Sequence, residues 1–204
     1  RQEQCLEMLD EWREQMPHGW VTGDDELGRH TRFRHALRER GERYLLGVPC
    51  NTTIRDLEAP LPEYSGRGRR PKAPWQSVTD WRHSLPGDTW TRLTVRDGEK
   101  GPVEIEMGRR RVQTRIERKR TGPEEWLVVT RRPLSDDSTL ETQASRNACE
   151  QDTRYGYRYY LTPTPTPASE LEEPSLAELA RVIKAGSCIE ASFKRGKSEV
   201  GMDE

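Results

Sequence analysis

A chain of 204 residues, 31% hydrophobic and 34% charged with a formal net charge of −1, is long enough to bury a core. Much of it must nevertheless be solvated surface, extended hairpin or partner-facing interface. The four cysteines, Cys5, Cys50, Cys149 and Cys188, have no CxxC or Cys/His ligand spacing, and His18, His30, His35 and His83 form no HExxH or HxH cluster. That argues against a zinc site or a disulfide framework and for reduced cysteines. No apolar run approaches the roughly 18 residues that span a bilayer, and the sequence shows no signal peptide, so the expectation is a cytoplasmic protein without membrane contact.

In chain order, Cys5, Leu6, Met8, Leu9 and Trp12 recur at spacings of three and four and predict a helix over residues 2–15. Met16-Pro17-His18-Gly19 ends it. Trp20 to Asp24 predicts a strand whose carboxyl end delivers an acidic side chain, and a helix follows from about Glu26 to Arg40, with Phe33 and Leu37 one turn apart and Gly41 as its C′ cap. Tyr44 to Val48 has the continuous apolar character of a buried parallel strand. From Thr52 to about Thr166 no amphipathic helix is expected. Short β-prone runs appear instead, at Trp90–Val95, Val103–Met107, Val112–Ile116, Trp126–Thr130 and Tyr155–Leu161, with Asp97-Gly98 as a hairpin turn. Thr162-Pro163-Thr164-Pro165-Thr166-Pro167 predicts an extended linker that cannot continue a helix or a central strand. Ser175 and Glu178 then form a capping box, and Leu176, Leu179, Ala180 and Ile183 a helical face.

Two acidic positions carry the candidate chemistry. Open α/β sheets place functional groups at strand carboxyl ends, which is where Asp24 falls, although Asp24 or Asp25 also suits the N-cap of the next helix. On a helix, Glu190 and Lys197 lie two turns apart on nearly one face with Lys194 between them, able to hold a metal ion and a phosphate. The alternative is a solvated Glu190–Lys194 pair.

Together, the strand-end Asp24 in Val-Thr-Gly-Asp-Asp-Glu-Leu-Gly28, the helix, the strand, the β-rich insertion and the helix bearing Glu190 and Lys197 resemble insertion-sequence transposases of the DDE type. The resemblance is to the insertion-sequence 701 group, related to the insertion-sequence 4 superfamily. It implies an α/β fold in which an incomplete ribonuclease-H-like core is interrupted by a β-rich insertion: residues 1–51 the first part of the core, 52–167 insertion and linker, 168–204 the last part. It also implies Asp24 as second acid, chosen over Asp25 because the family has a glycine four residues on, as Gly28 stands here. Glu190 would be the third acid, Lys197 would contact DNA backbone, and a two-metal Mg²⁺ site would cleave and transfer DNA strands. The implied setting is a bacterial cytoplasm, with transposon-end DNA as partner and a homo-oligomer in the intact protein. The Tyr and Arg that relatives carry upstream of the third acid fall at Ile183 and Gly186. The first catalytic Asp and the opening core strands would precede Arg1. The resemblance therefore predicts a truncated, inactive piece in which Trp20–Asp24 and Tyr44–Val48 lack strand neighbours.

Arg outnumbers Lys 28 to 6, a bias suited to bidentate phosphate contacts and also produced by a GC-rich genome. The dense basic stretches are the loop with Arg67, Arg69, Arg70 and Lys72, and the run with Arg109, Arg110, Arg111, Arg115, Arg118, Lys119 and Arg120. Arg69, Arg70, Arg109, Arg110, Arg111, Lys194 and Lys197 are the DNA-contact candidates. Trp75, Trp81 and Trp90 either stack on an unpaired base or form the insertion's small core. A rival reading is a non-catalytic nucleic-acid-binding module using the Arg-rich insertion.

Overall fold

The computed structural model describes residues 2–98, 101–116, 120–133, 154–165 and 172–200, without the side chains of 96–98, 101, 187, 190, 191 and 193–200. The elements are α1 (Gln2–Trp12), β1 (Val21–Gly23), α2 (Asp25–Gly28), α3 (Thr31–Glu39), β2 (Tyr44–Val48), β3 (Thr53–Asp56), β4 (Gln76–Ser77) and α4 (Val78–His83). A 3₁₀ turn (Gly87–Thr89) leads to β5 (Thr91–Gly98), β6 (Gly101–Arg115), β7 (Thr121–Pro133), β8 (Tyr155–Pro163) and α5 (Leu176–Val200). The fold is mixed α/β and compatible with a ribonuclease-H-like arrangement.

All eight described strands join one sheet in the order β1-β2-β8-β7-β6-β3-β4, with β5 also on β6. β1 and β2 are parallel, Val21 opposite Tyr44 and Gly23 opposite Leu46; the other pairings are antiparallel. β6 is long enough for two neighbours on one edge, pairing β5 over Gly101–Met107 and β3 over Val112–Thr114. The expected runs Val103–Met107 and Val112–Ile116 thus lie mainly within one strand, and Asp97 and Gly98, expected as the hairpin turn, are instead the last residues of β5, still paired with Pro102 and Gly101.

Period-two alternation distributes the core over both sheet faces. Leu45 and Val128 pack with Leu179, Ala180 and Ile183 of α5. Tyr44 and Leu46 face Phe33 and Leu37 of α3, and Val48, Leu127 and Val129 cluster with Val78 and Trp81 of α4. The helical face expected after residue 175 is therefore real, and Ser175 caps it through the Glu178 amide at 3.1 Å.

Several expectations need correction. The Glu26–Arg40 helix is two helices, because His30 takes an extended conformation (φ −87°, ψ 98°) as the N-cap of α3. α4 was not expected; its signal was Ser77, whose hydroxyl accepts from the Asp80 amide at 3.0 Å. The proline-rich segment does not begin at Thr162, since Thr162 and Pro163 still pair with β7. The described β2 pairing of that strand covers only Tyr159–Leu161, so Pro163 interrupts no ladder to β2. β2 does not lack neighbours, being flanked by β1 and β8. Cys50 is disulfide-bonded rather than reduced, while Cys5 and Cys188 are free.

Candidate active-site strand end and basic cleft

Asp24 follows directly on β1, exposed, at the carboxyl end of that strand. It is also the N-cap of α2: its Oδ1 accepts from the amides of Glu26 at 3.1 Å and Leu27 at 3.3 Å. Both sequence readings therefore meet in one residue. Asp25 is a helical residue, paired with Arg29 at 3.7 Å. Gly28, four residues after Asp24, is buried where α2 crosses β2, and a Cβ there would stand 1.8 Å from the Gly47 carbonyl oxygen. Only glycine permits that approach, which fixes how α2, and hence Asp24 at its head, sits on the sheet.

Beneath this turn lies a buried polar cluster that no sequence pattern announced. Arg34, 2% exposed, donates from Nε to Glu125 Oε1 at 2.8 Å and from Nη2 to Glu125 Oε2 at 3.2 Å. It also donates to the Gly28 carbonyl and, at 3.1 Å, to Thr114 Oγ1. Tyr44 and Thr114 each donate a hydroxyl to Glu125, at 2.7 and 2.8 Å. Burial pulls the Arg34 pKa down, but the charge and hydrogen bonds of Glu125 outweigh it and leave the pKa raised. Burial, reinforced by the Glu125 charge, pushes the Tyr44 phenol well above 10.0, so it remains a donor. The cluster ties α3 and the α2 terminus to β6 and β7.

Glu190, Lys194 and Lys197 lie on α5, but their side chains are outside the described residues, so the expected approach of Glu190 to Asp24 has no measured distance. α5 is anchored at its start, where Glu178 accepts from Trp20 Nε1 at 3.3 Å and pairs with Arg43 at 3.2 Å. Beyond Lys184, Ala185, Cys188, Ile189 and Ser192 are exposed.

The basic residues divide into two groups. Arg109 pairs with Glu173 at 2.6 Å and lies over Trp126; Arg110 and Arg111 both pair with Glu58, at 3.1 and 3.7 Å. In contrast, Arg69 and Arg70 line a cleft of about 400 Å³ together with Arg55, Lys72, Trp75, Arg115, Arg120 and Thr121. Among the described residues none of those six cations has a carboxylate partner. Arg55 escaped the sequence reading because it stands alone on β3, and its cleft neighbours are brought in by the β3–β4 connection and the end of the β6–β7 hairpin. Trp81 is core, 1% exposed with Nε1 donating to Asp56 at 2.9 Å. Trp90 packs against that core beneath Arg131.

Residues 2–102 match the family model described as DDE superfamily endonuclease, which supports a DDE-type transposase or endonuclease acting on DNA. No curated protein matches the sequence.

Nucleases of this superfamily generally use divalent metals. Among the described residues no group of three or more His, Cys, Asp or Glu side chains is placed to hold a metal ion, and Oδ1 of Asp24 is already engaged by two amides. The described donors do not by themselves make a metal centre. No helix among the described residues is long and apolar enough to cross a membrane.

Proposed function

We propose that this chain is the DDE-type catalytic part of a transposase that cleaves and joins DNA at transposon ends, with Asp24 and Glu190 as two of its acids and Mg²⁺ as its metal. On this reading residues 1–51 and 168–204 are the catalytic core and 52–167 the insertion. The observation that carries it is Asp24 at the head of α2, in the stretch that matches DDE superfamily endonucleases. The Gly47–Gly28 contact that seats α2 gives a physical reason for the glycine four residues after the acid.

The experiment separates the capping role of Asp24 from a catalytic one. Asn caps a helix about as well as Asp but lacks its charge. In the protein from its native reading frame, Asp24→Asn should therefore leave the thermal midpoint in place and abolish Mg²⁺-dependent strand cleavage, while Asp25→Ala should cleave. Retained cleavage in Asp24→Asn refutes the assignment.

The cleft with six cations favours one second reading, a nucleic-acid-binding module without catalysis. Salt-sensitive DNA binding with no metal-dependent cleavage by the native-frame protein identifies it.

A further inference from the structure

We propose that the cleft is a clamp for the phosphodiester backbone of duplex DNA, independent of base sequence, and that Trp75 is its positioning residue. The proposal rests on the nucleic-acid reading above and adds the site, the group recognised and the part played by the tryptophan.

The first argument is charge. Elsewhere the fold supplies carboxylates to its arginines: Glu125 to Arg34, Glu106 to Arg92 and Arg131, Glu173 to Arg109, Glu58 to Arg110 and Arg111. In the cleft it gathers Arg55, Arg69, Arg70, Lys72, Arg115 and Arg120 with no described carboxylate among the lining residues. Like charges so gathered repel, and a polyanion relieves that repulsion while releasing its own counterions.

The second argument is order. The guanidinium carbons of Arg55 and Arg115 lie 4.3 and 4.5 Å from the centre of the Trp75 ring, within the range of cation–π attraction. A ring so occupied is poorly placed to stack on a base, but it holds two forked donors ready for phosphate oxygens. Arg55 Nε is buried and unpartnered, a donor that a bound anion would satisfy. The loop that carries Arg69 and Arg70 into the cleft wall makes its own contacts: Gly66 and Gly68 adopt φ of +77° and +80°, the Tyr64 hydroxyl donates to the Gly68 carbonyl at 2.9 Å, and Arg70 stands over the Tyr64 ring. The wall is shaped before any ligand arrives.

The test is the salt dependence of binding to two duplexes of unrelated sequence. Replacing the exposed Arg69, Arg70, Lys72 and Arg120 together by Gln should reduce the slope of log K against log salt by about two to four units, equally on both duplexes and without moving the thermal midpoint. Arg110→Gln/Arg111→Gln, whose guanidiniums both pair with Glu58, should change it by less than about one. Trp75→Leu should weaken binding about three- to tenfold at constant charge, and Trp75→Phe should recover most of that. If the parent chain binds DNA but the quadruple variant keeps its slope, the clamp is refuted and the nucleic-acid reading stands. Losses confined to one duplex would also refute it, in favour of base readout, and a parent chain that binds neither duplex refutes both readings.

Discussion

Removing Arg34 tests whether the buried cluster holds α2 and α3 to β6 and β7. Arg34→Met keeps much of the side-chain volume but leaves the Glu125 carboxylate, 0% exposed, with the Tyr44 and Thr114 hydroxyls as its side-chain hydrogen-bonding partners among the described residues. Breaking a buried pair by deleting one partner costs about 3–5 kcal/mol. For a domain of this size that corresponds to a fall of roughly 6–20 °C in thermal midpoint, or about 1.5–2.5 M in urea midpoint at an m-value of about 2 kcal/mol/M. The double variant Arg34→Met/Glu125→Met should recover part of the loss, because an apolar pair of similar volume often matches a buried ion pair. About 1–3 kcal/mol should remain lost for hydroxyls left without Glu125. Denaturant titration of the parent and both variants, with unchanged m-values, measures these quantities. A loss below about 1 kcal/mol in Arg34→Met, or a double variant no better than the single, refutes the reasoning.

Gly28→Ala should cost about 1–3 kcal/mol or more, since its Cβ meets the Gly47 backbone carbonyl rather than a side chain that can turn away; denaturant midpoints read it. The His18 pKa is raised above 6.5, chiefly by its hydrogen bond to the Met16 carbonyl and further by Glu42. Because the folded value exceeds the unfolded one, the stabilisation is fully present below about pH 6.5 and is lost as pH rises through the folded pKa. An imidazole NMR titration should show that upward shift, reduced but not abolished by Glu42→Gln. Ser77→Ala should cost about 0.5–2 kcal/mol through loss of the α4 cap, measured by thermal unfolding.

Local signals made the elements legible. Phe33 and Leu37 at helical spacing are buried at 3% and 0%, and Gly41 has the φ of +71° that a C′ position asks for. The parallel β1–β2 pair and the position of Asp24 followed from the same local patterns. What sequence could not give was the meeting of distant residues. Arg34 looked like one arginine on a charged helix, yet its partner Glu125 is 91 positions away. The arginines of the 109–111 run were among the dense phosphate-binding candidates, and Glu58 and Glu173 arrive from other elements to pair with them. Arg55 carried no pattern at all. Charge density along a chain marks where cations are, and only the fold decides which keep a free field.

The place of β8 in the sheet has a consequence for anyone cutting this molecule into parts. β8 comes from the far end of the central segment, yet it hydrogen-bonds to β2 on one side and β7 on the other. The segment is thus stitched into the sheet rather than hung from it on a stalk. Deleting residues 52–167 and rejoining the ends would uncover the backbone of β2, expose its apolar face and strip Arg34 of its counter-ion, creating a sticky edge prone to pairing with other chains. Swapping this segment between relatives as a cassette will work only if the incoming piece brings a strand of matching register for β2 and an acid where Glu125 stands.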